Sequence, residues 1–153
     1  GSMQIPPERV SSIVDAILSL RLRVVAQTRH ALPERDGLLH LTESVDHEIL
    51  FPECRAAVHH GGAGTTAAAL RAGIPSVVGW LSADQPLWAA ALRDHGAGAG
   101  APLSRLSDTD LELLTADEPY RAAKALAGHI VNPEDAVDAA CDEILKAATA
   151  GPT

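Results

Sequence analysis

The sequence predicts an α/β domain: a Rossmann-like parallel sheet with helices on both faces and a helical last third. Three observations predict it. Short apolar, strand-like runs alternate with helical stretches along most of the chain. One strand-to-helix link, His59-His60-Gly61-Gly62-Ala63-Gly64-Thr65-Thr66, is rich in glycine. Hydrophobic residues make up 46% of the chain but aromatic residues only 3%, so the core is aliphatic and Ala-rich helices can lie close to a sheet. The 153 residues read as one domain over 1–153. A domain of that size buries roughly 70% of its unfolded surface without staples.

The elements follow in order. Pro6-Pro7-Glu8 starts a helix, with proline early and an acid in the first turn. Its apolar stripe is Val10, Ile13, Val14, Ile17 and Leu18, at helical spacing. Leu22 to Gln27 reads as a strand, Arg29 to Gly37 as a polar loop, and Leu38 to Leu41 as a second short strand. Asp46 to Leu50 forms one helical turn before Pro52. Ala56 to His59 is a buried strand feeding the glycine-rich turn, and Thr65 to Ala72 is the helix after it. Gly73 ends that helix and Pro75 follows. Ile74 to Trp80 is the next strand. Leu87, Trp88, Ala91 and Leu92 mark the face of another helix, ending near His95-Gly96. Ser107 with Asp110 caps a helix. Asp117 with Pro119 starts a second, and Asn132 to Asp135 a third. The stripe of that third helix is Val137, Cys141, Ile144, Leu145 and Ala148. Thr149 to Thr153 reads as a frayed tail.

Composition removes several function classes. Acids outnumber bases 20 to 12, for a net charge of −8. That balance argues against a nucleic-acid partner, and no polybasic membrane patch is present. The apolar runs fall short of the ~18 residues a membrane span needs. No secretory leader is recognisable. Cys54 and Cys141 are too few for a disulfide framework, read as buried thiols, and point to the cytoplasm. Gly1-Ser2-Met3 reads either as a vector scar or as native sequence.

The turn at 59–66 carries the chemistry. Glycines at 61, 62 and 64 strip side chains from a strand-to-helix link, so backbone N–H groups can approach a ligand. The helix that follows offers its unpaired N–H groups and the positive end of its dipole, which together make a phosphate site. Thr65 and Thr66 add hydroxyl donors. No Gly-Lys-Ser/Thr follows, so this is not a Walker loop, and it is not a GxGxxG fingerprint. His59 and His60 point to opposite faces of a strand end and cannot easily share a metal. His60 suits a pyrophosphate; His59 suits the core, satisfied by the backbone. Asp84-Gln85 opens a helix just after a strand. Asp84 there either caps the helix or, with Gln85, offers acceptors and donors to sugar hydroxyls. The glycines of Asp94 to Gly100 follow a helix, so they end it and open the last strand. Trp80 and Trp88 read as core. His30, His40, His47 and His129 show no metal spacing.

Four blocks, Leu50-Phe51-Pro52, Ala57 to Ala67, Arg71-Ala72-Gly73-Ile74-Pro75 and Asp84-Gln85-Pro86-Leu87-Trp88, together resemble the C-terminal domain of GT-B glycosyltransferases of family 1. The pattern is most similar to bacterial antibiotic and sterol glycosyltransferases, and the likeness extends over nearly the whole chain. It implies a UDP- or dTDP-sugar donor. It implies that His60, Gly62, Ala63, Gly64 and Thr65 meet the diphosphate. Asp84 and Gln85 match the pair that holds the sugar hydroxyls. Ser44, Val45 and His47 match the loop that holds the nucleobase, largely through the backbone at Val45. No metal and no other cofactor is implied, because the helix end and the histidine compensate the diphosphate charge. The chain departs from the pattern at Asp46 and Trp80, where bacterial relatives often carry proline, and at Ile49, where they carry tryptophan. Ala68 replaces the ribose-binding glutamate of plant relatives.

The resemblance also implies a missing half. In that family the catalytic base and the acceptor pocket lie on an N-terminal domain, so no catalytic residue is assigned to this chain. Three readings follow: the donor half of a glycosyltransferase that moves a hexose to a small-molecule hydroxyl, a stand-alone donor subunit of a split enzyme, or a non-catalytic nucleotide-sugar module. The expected partners are a nucleotide-sugar and an N-terminal acceptor-binding domain or subunit, with room for a homo-oligomer. Gly1-Ser2-Met3 also resembles the end of the family's first C-domain strand. On that reading a central strand is lost and apolar sheet edges are exposed.

Overall fold

The computed structural model describes residues 5–149. Gly1-Ser2-Met3 and the last residues of the expected tail lie outside them. Helix α1 (Pro7–Ser19) opens the order. It is followed by strands β1 (Val24–Gln27) and β2 (Leu38–Leu41) and the short helix α2 (His47–Leu50), which runs into a 3-10 turn at Phe51–Glu53. Strand β3 (Ala57–His59), helix α3 (Ala63–Arg71), strand β4 (Ser76–Trp80), helix α4 (Gln85–Asp94) and strand β5 (Gly98–Pro102) complete the α/β part. Helices α5 (Asp108–Glu112), α6 (Asp117–Ala127) and α7 (Pro133–Thr149) make up the helical last third.

Every strand pair is parallel. The sheet comes in two pieces, β1-β2 and β3-β4-β5. Val77 and Val78 on β4 are fully buried and point to opposite faces. Val77 packs with Ile17 of α1 and with Leu106, Leu111 and Leu114 from the segments around α5. Val78 packs with Ala89 and Leu92 of α4 and Ala123 of α6. A third cluster joins Phe51, Ala57, Ile74 and the Ala68-Ala69 face of α3. Helices therefore cover both faces, and the central strand is apolar on both sides, as parallel sheets require.

The α4 face differs from the periodic reading. Leu87 and Trp88 are exposed at 72% and 39%, and Ala91 is exposed, while Gln85, Ala89 and Leu92 are buried. The cause is close backbone approach. A Cβ at Gly98 would lie 3.1 Å from the Leu92 Cβ, and one at Gly100 would lie 3.0 Å from the Ala89 methyl. Ala89 and Leu92 take the contact face, and Leu87, Trp88 and Ala91 point outward. Trp88 is therefore not core; Trp80 is half-buried against the Val78 cluster.

Capping chemistry sets several boundaries. Ser107 and Asp110 form a reciprocal capping box at the start of α5. The Asp46 carboxylate accepts the Glu48 N–H at 2.9 Å and starts α2. Gly73 turns left-handed (φ +71°) after α3, and Gly96 (φ +69°) after α4. The apolar stripe of α7 is present, but Val137, Ile144 and Leu145 are exposed. The expected burial of the thiols also fails. Cys54 is half-buried, its Sγ–H donating to the Leu50 carbonyl at 3.4 Å, and Cys141 is exposed on α7. Among the described residues no helix is long and apolar enough to cross a membrane.

Candidate functional site

The glycine-rich turn lies at the carboxyl end of β3, where ligands bind in open parallel sheets. Gly61 has φ +88°, and a Cβ there would sit 2.6 Å from Val78 Cγ1 and 3.3 Å from Gln85 Cβ. Glycine is thus demanded twice, by conformation and by space. Helix α3 starts at Ala63 with Gly62 as its N-cap residue, and no side chain caps it. Its first hydrogen bond runs from the Thr66 N–H to the Gly62 carbonyl at 3.0 Å. The N–H groups of Ala63, Gly64 and Thr65 are the ones a helix start leaves unpaired. Around Gly64 a Cβ would meet nothing within 4 Å, so the space beside that position is open.

The two threonines separate. Thr66 is buried, and its hydroxyl donates to the Gly62 carbonyl at 3.0 Å. It holds the helix start and is not a ligand donor, contrary to the expectation. Thr65 is half-buried and lines a cavity of about 650 Å³.

The histidines separate as well. His60 is exposed, and a Cβ at Gly62 would lie 2.8 Å from its Nε2, so the imidazole lies close over the backbone of the turn. His59 Nδ1 accepts the Gly61 N–H at 3.0 Å. Its neutral form therefore carries the proton on Nε2, and that atom is enclosed with no partner. Burial pushes its pKa down to about 4, helped by the neighbouring His60 and His47. The backbone satisfies only one of its two ring nitrogens.

Asp84 and Gln85 adjoin in sequence but face different surroundings. Asp84 occupies the N-cap position of α4 without making a capping hydrogen bond. Its exposed carboxylate accepts the Trp88 indole N–H at 2.7 Å. Asp84 thus stands at the helix start, where its charge suits the dipole, but it makes no capping hydrogen bond, and the Trp88 indole orients the acid. Gln85 is 4% exposed, and its Oε1 accepts the N–H groups of Leu81 (2.8 Å) and Ser82 (3.2 Å). It fastens the 81–83 turn, where Ala83 is left-handed at φ +60°. Gln85 thus holds the loop that presents Asp84, and its carbonyl oxygen does not face outward.

The loop expected to hold a base approaches the same cavity. Val45 and His47 line it together with His60 and Thr65. The His47 ring stacks on Phe51 at 4.6 Å and 4°. Ser44 is exposed beside them. Gly62, Ala63, Gly64, Ser44, Asp84 and Gln85 do not line that cavity. Sequence reasoning missed Thr28, Arg29 and His30, which line it at the carboxyl end of β1. Their position directly after a parallel strand was the available signal. Among the described residues no group of three or more His, Cys, Asp or Glu side chains is placed to hold a metal.

This arrangement matches the C-terminal half of a GT-B fold, and comparison with known proteins gives the family. Residues 12–149 match the model for the erythromycin biosynthesis protein CIII-like, C-terminal domain (EryCIII-like), and the chain belongs to that family. It is 38% identical over 152 residues to the uncharacterized glycosyltransferase ML2348 of Mycobacterium leprae, covering 93% of this chain and 36% of that protein. It is 32% identical over 153 residues to the sterol 3-beta-glucosyltransferase UGT80A2 of Arabidopsis thaliana, covering 94% of this chain and 24% of that protein. Its fold is similar to the spinosyn rhamnosyltransferase SpnG complexed with thymidine diphosphate, with TM-score 0.69, 25% identity and coverage of 81% of this chain and 36% of that one. The chain spans about a third or less of the length of these relatives.

Proposed function

We propose that this domain binds the UDP- or dTDP-sugar donor of a glycosyltransferase that transfers a hexose to a small-molecule hydroxyl. The observation that carries this reading is the uncapped start of α3. Three adjacent backbone N–H groups stand unpaired at a strand end, under the positive helix dipole, with the His60 ring and the Thr65 hydroxyl beside them. A diphosphate there receives donors without a metal ion. As the glycosidic bond breaks, the leaving diphosphate gains charge, and these fixed dipoles stabilise it. Val45 and His47, on the same cavity, offer a backbone edge and a ring to the base. Asp84, held by Trp88 and by the loop that Gln85 fastens, accepts hydrogen bonds from sugar hydroxyls.

The acceptor site and the base that deprotonates the acceptor are assigned to an N-terminal domain or subunit. The name of the matched family model, a C-terminal domain, and the partial coverage of the relatives support that assignment. The setting proposed is the cytoplasm, where Cys54 and Cys141 stay as free thiols. Isothermal calorimetry with dTDP, UDP and their glucose conjugates tests the reading. Saturable binding that survives EDTA supports it. Absence of heat at millimolar diphosphate would refute donor binding, and a loss of binding in EDTA would refute the metal-free site.

A further inference from the structure

We infer that the Arg71–Glu48 ion pair positions the nucleobase end of the donor site: it fixes the short helix α2 against α3, and so sets how far the Val45–His47 loop stands from the donors at the start of α3. The inference rests on the donor-binding reading above and assigns a role to two residues outside the cavity. Neither Arg71 nor Glu48 lines it, so both act through the residues they place.

Helix α2 cannot hold itself. It spans only His47–Leu50 and buries none of its residues. A helix that short is not stable alone in water, and Ile49 points to solvent. Local chemistry gives one hold, the Asp46 carboxylate on the Glu48 N–H at 2.9 Å. Two others come from α3. Phe51, directly after α2, packs with the Ala68-Ala69 face of α3. Glu48 takes two donors of Arg71: Nε donates to Oε2 at 3.4 Å, and Nη2 donates to Oε1.

Arg71 is the last residue of α3 and Ala63 the first. At about 1.5 Å per residue they stand about 12 Å apart on one rod. The amino end of the rod faces the diphosphate, and its carboxyl end holds α2. A planar guanidinium with two donors on one carboxylate fixes orientation as well as distance. The Arg71 side chain is 15% exposed and that of Glu48 52%. Arginine is thus the fixed partner, and the glutamate, with α2, is what it holds. A pair this open adds little to overall stability. Its consequence is placement. With Glu48 released, the base loop keeps only the Asp46 cap and Phe51 and spends less time in the binding position. Apparent affinity falls with that fraction. The loss falls on the nucleoside part of the ligand, because pyrophosphate needs only the start of α3.

Glu48→Gln and Arg71→Met keep much of each side chain's bulk and break the pair. In 15N-detected titrations each should weaken dTDP about three- to tenfold. Inorganic pyrophosphate, read at Ala63, Gly64 and Thr65, should stay within about twofold. The melting temperature should move by about 4 °C or less. The double variant should lose no more than either single one, since both break one interaction. Without ligand, exchange of the Leu50 amide, which donates to the Asp46 carbonyl at 3.0 Å, should speed up about threefold or more, while the Thr66 amide is unchanged. The inference is overturned if both variants bind dTDP as the wild type does, if dTDP and pyrophosphate weaken equally, or if the two losses add. It is also overturned if the wild type binds dTDP and not pyrophosphate, because the diphosphate end would then have no hold of its own. A wild type that binds neither ligand refutes the donor reading itself, and Leu50 exchange then still reports whether the pair holds α2.

Discussion

The His60 imidazole lies over the backbone of Gly62, so close that a methyl group on Gly62 would stand 2.8 Å from Nε2. Position 62 therefore decides where the ring can sit. Gly62→Ala should push the ring off the turn while α3 still forms, since its N-cap residue keeps an extended conformation at φ −63° that alanine adopts. A hydrogen bond to a charged phosphate is worth about 1.5–3 kcal/mol, so dTDP affinity should fall roughly 10- to 100-fold. His60→Ala should produce a similar loss. Calorimetry on both variants checks this, and unchanged affinity in either places the phosphates elsewhere.

The other two glycines of the turn should behave in opposite ways. Gly61→Ala forces a left-handed alanine into Val78 and should cost about 1–3 kcal/mol of stability. For a domain of this size that lowers the melting temperature by about 2–4 °C per kcal/mol. Gly64→Ala meets no protein atom within 4 Å. It should leave stability unchanged or raise it by up to about 1 kcal/mol, while its methyl group obstructs the diphosphate. A melting curve and a binding isotherm on each variant separate the packing role from the ligand role.

Asp84 and Trp88 give a test of the sugar end. Trp88→Phe removes the 2.7 Å indole donor to the Asp84 carboxylate. Asp84→Asn removes the charge. Both should weaken binding of dTDP-glucose several-fold and leave free dTDP unaffected, because neither residue touches the α3 start. Equal losses for the two ligands would mean that Asp84 acts on the fold and not on the sugar.

His59 makes stability pH-dependent. Its folded pKa is about 4 against an ordinary 6.5. Below pH 6.5 the unfolded chain takes up a proton that the folded chain refuses, so stability falls as pH drops from 6.5 toward 4 and is fully present above that window. The loss is at most about 3 kcal/mol. Urea unfolding at pH 7.5, 5.5 and 4.5 should show it, and His59→Gln should flatten the profile across that window. A wild-type profile already flat between pH 7.5 and 4.5 would contradict the enclosed neutral imidazole.

Much of this fold was legible in the residues. The α1 stripe, the span of β2, the helix after the glycine turn and the α5 capping box all follow from periodicity and caps that act locally. Two features were not legible. The α4 face was misread because periodicity weighs Leu87 and Trp88 above Ala89, whereas Ala89 and Leu92 are the side chains that meet Gly100 and Gly98 of the sheet. The split of the sheet into β1-β2 and β3-β4-β5 is a long-range feature that no local pattern reports. At the site the glycine turn was clear, because positive φ and close approach demand glycine. The division of labour between Thr65 and Thr66, and between Asp84 and Gln85, was not. Adjacent polar residues are sorted only by the direction each takes at a helix start.

The central claim is that a diphosphate sits on the first turn of α3, and the amide resonances of that turn report it directly. In a 15N-labelled sample titrated with dTDP, the N–H signals of Ala63, Gly64 and Thr65 should shift most, with saturation, while those of α7 stay in place. Saturating shifts confined to residues away from 60–66, or none at millimolar dTDP, would contradict the account.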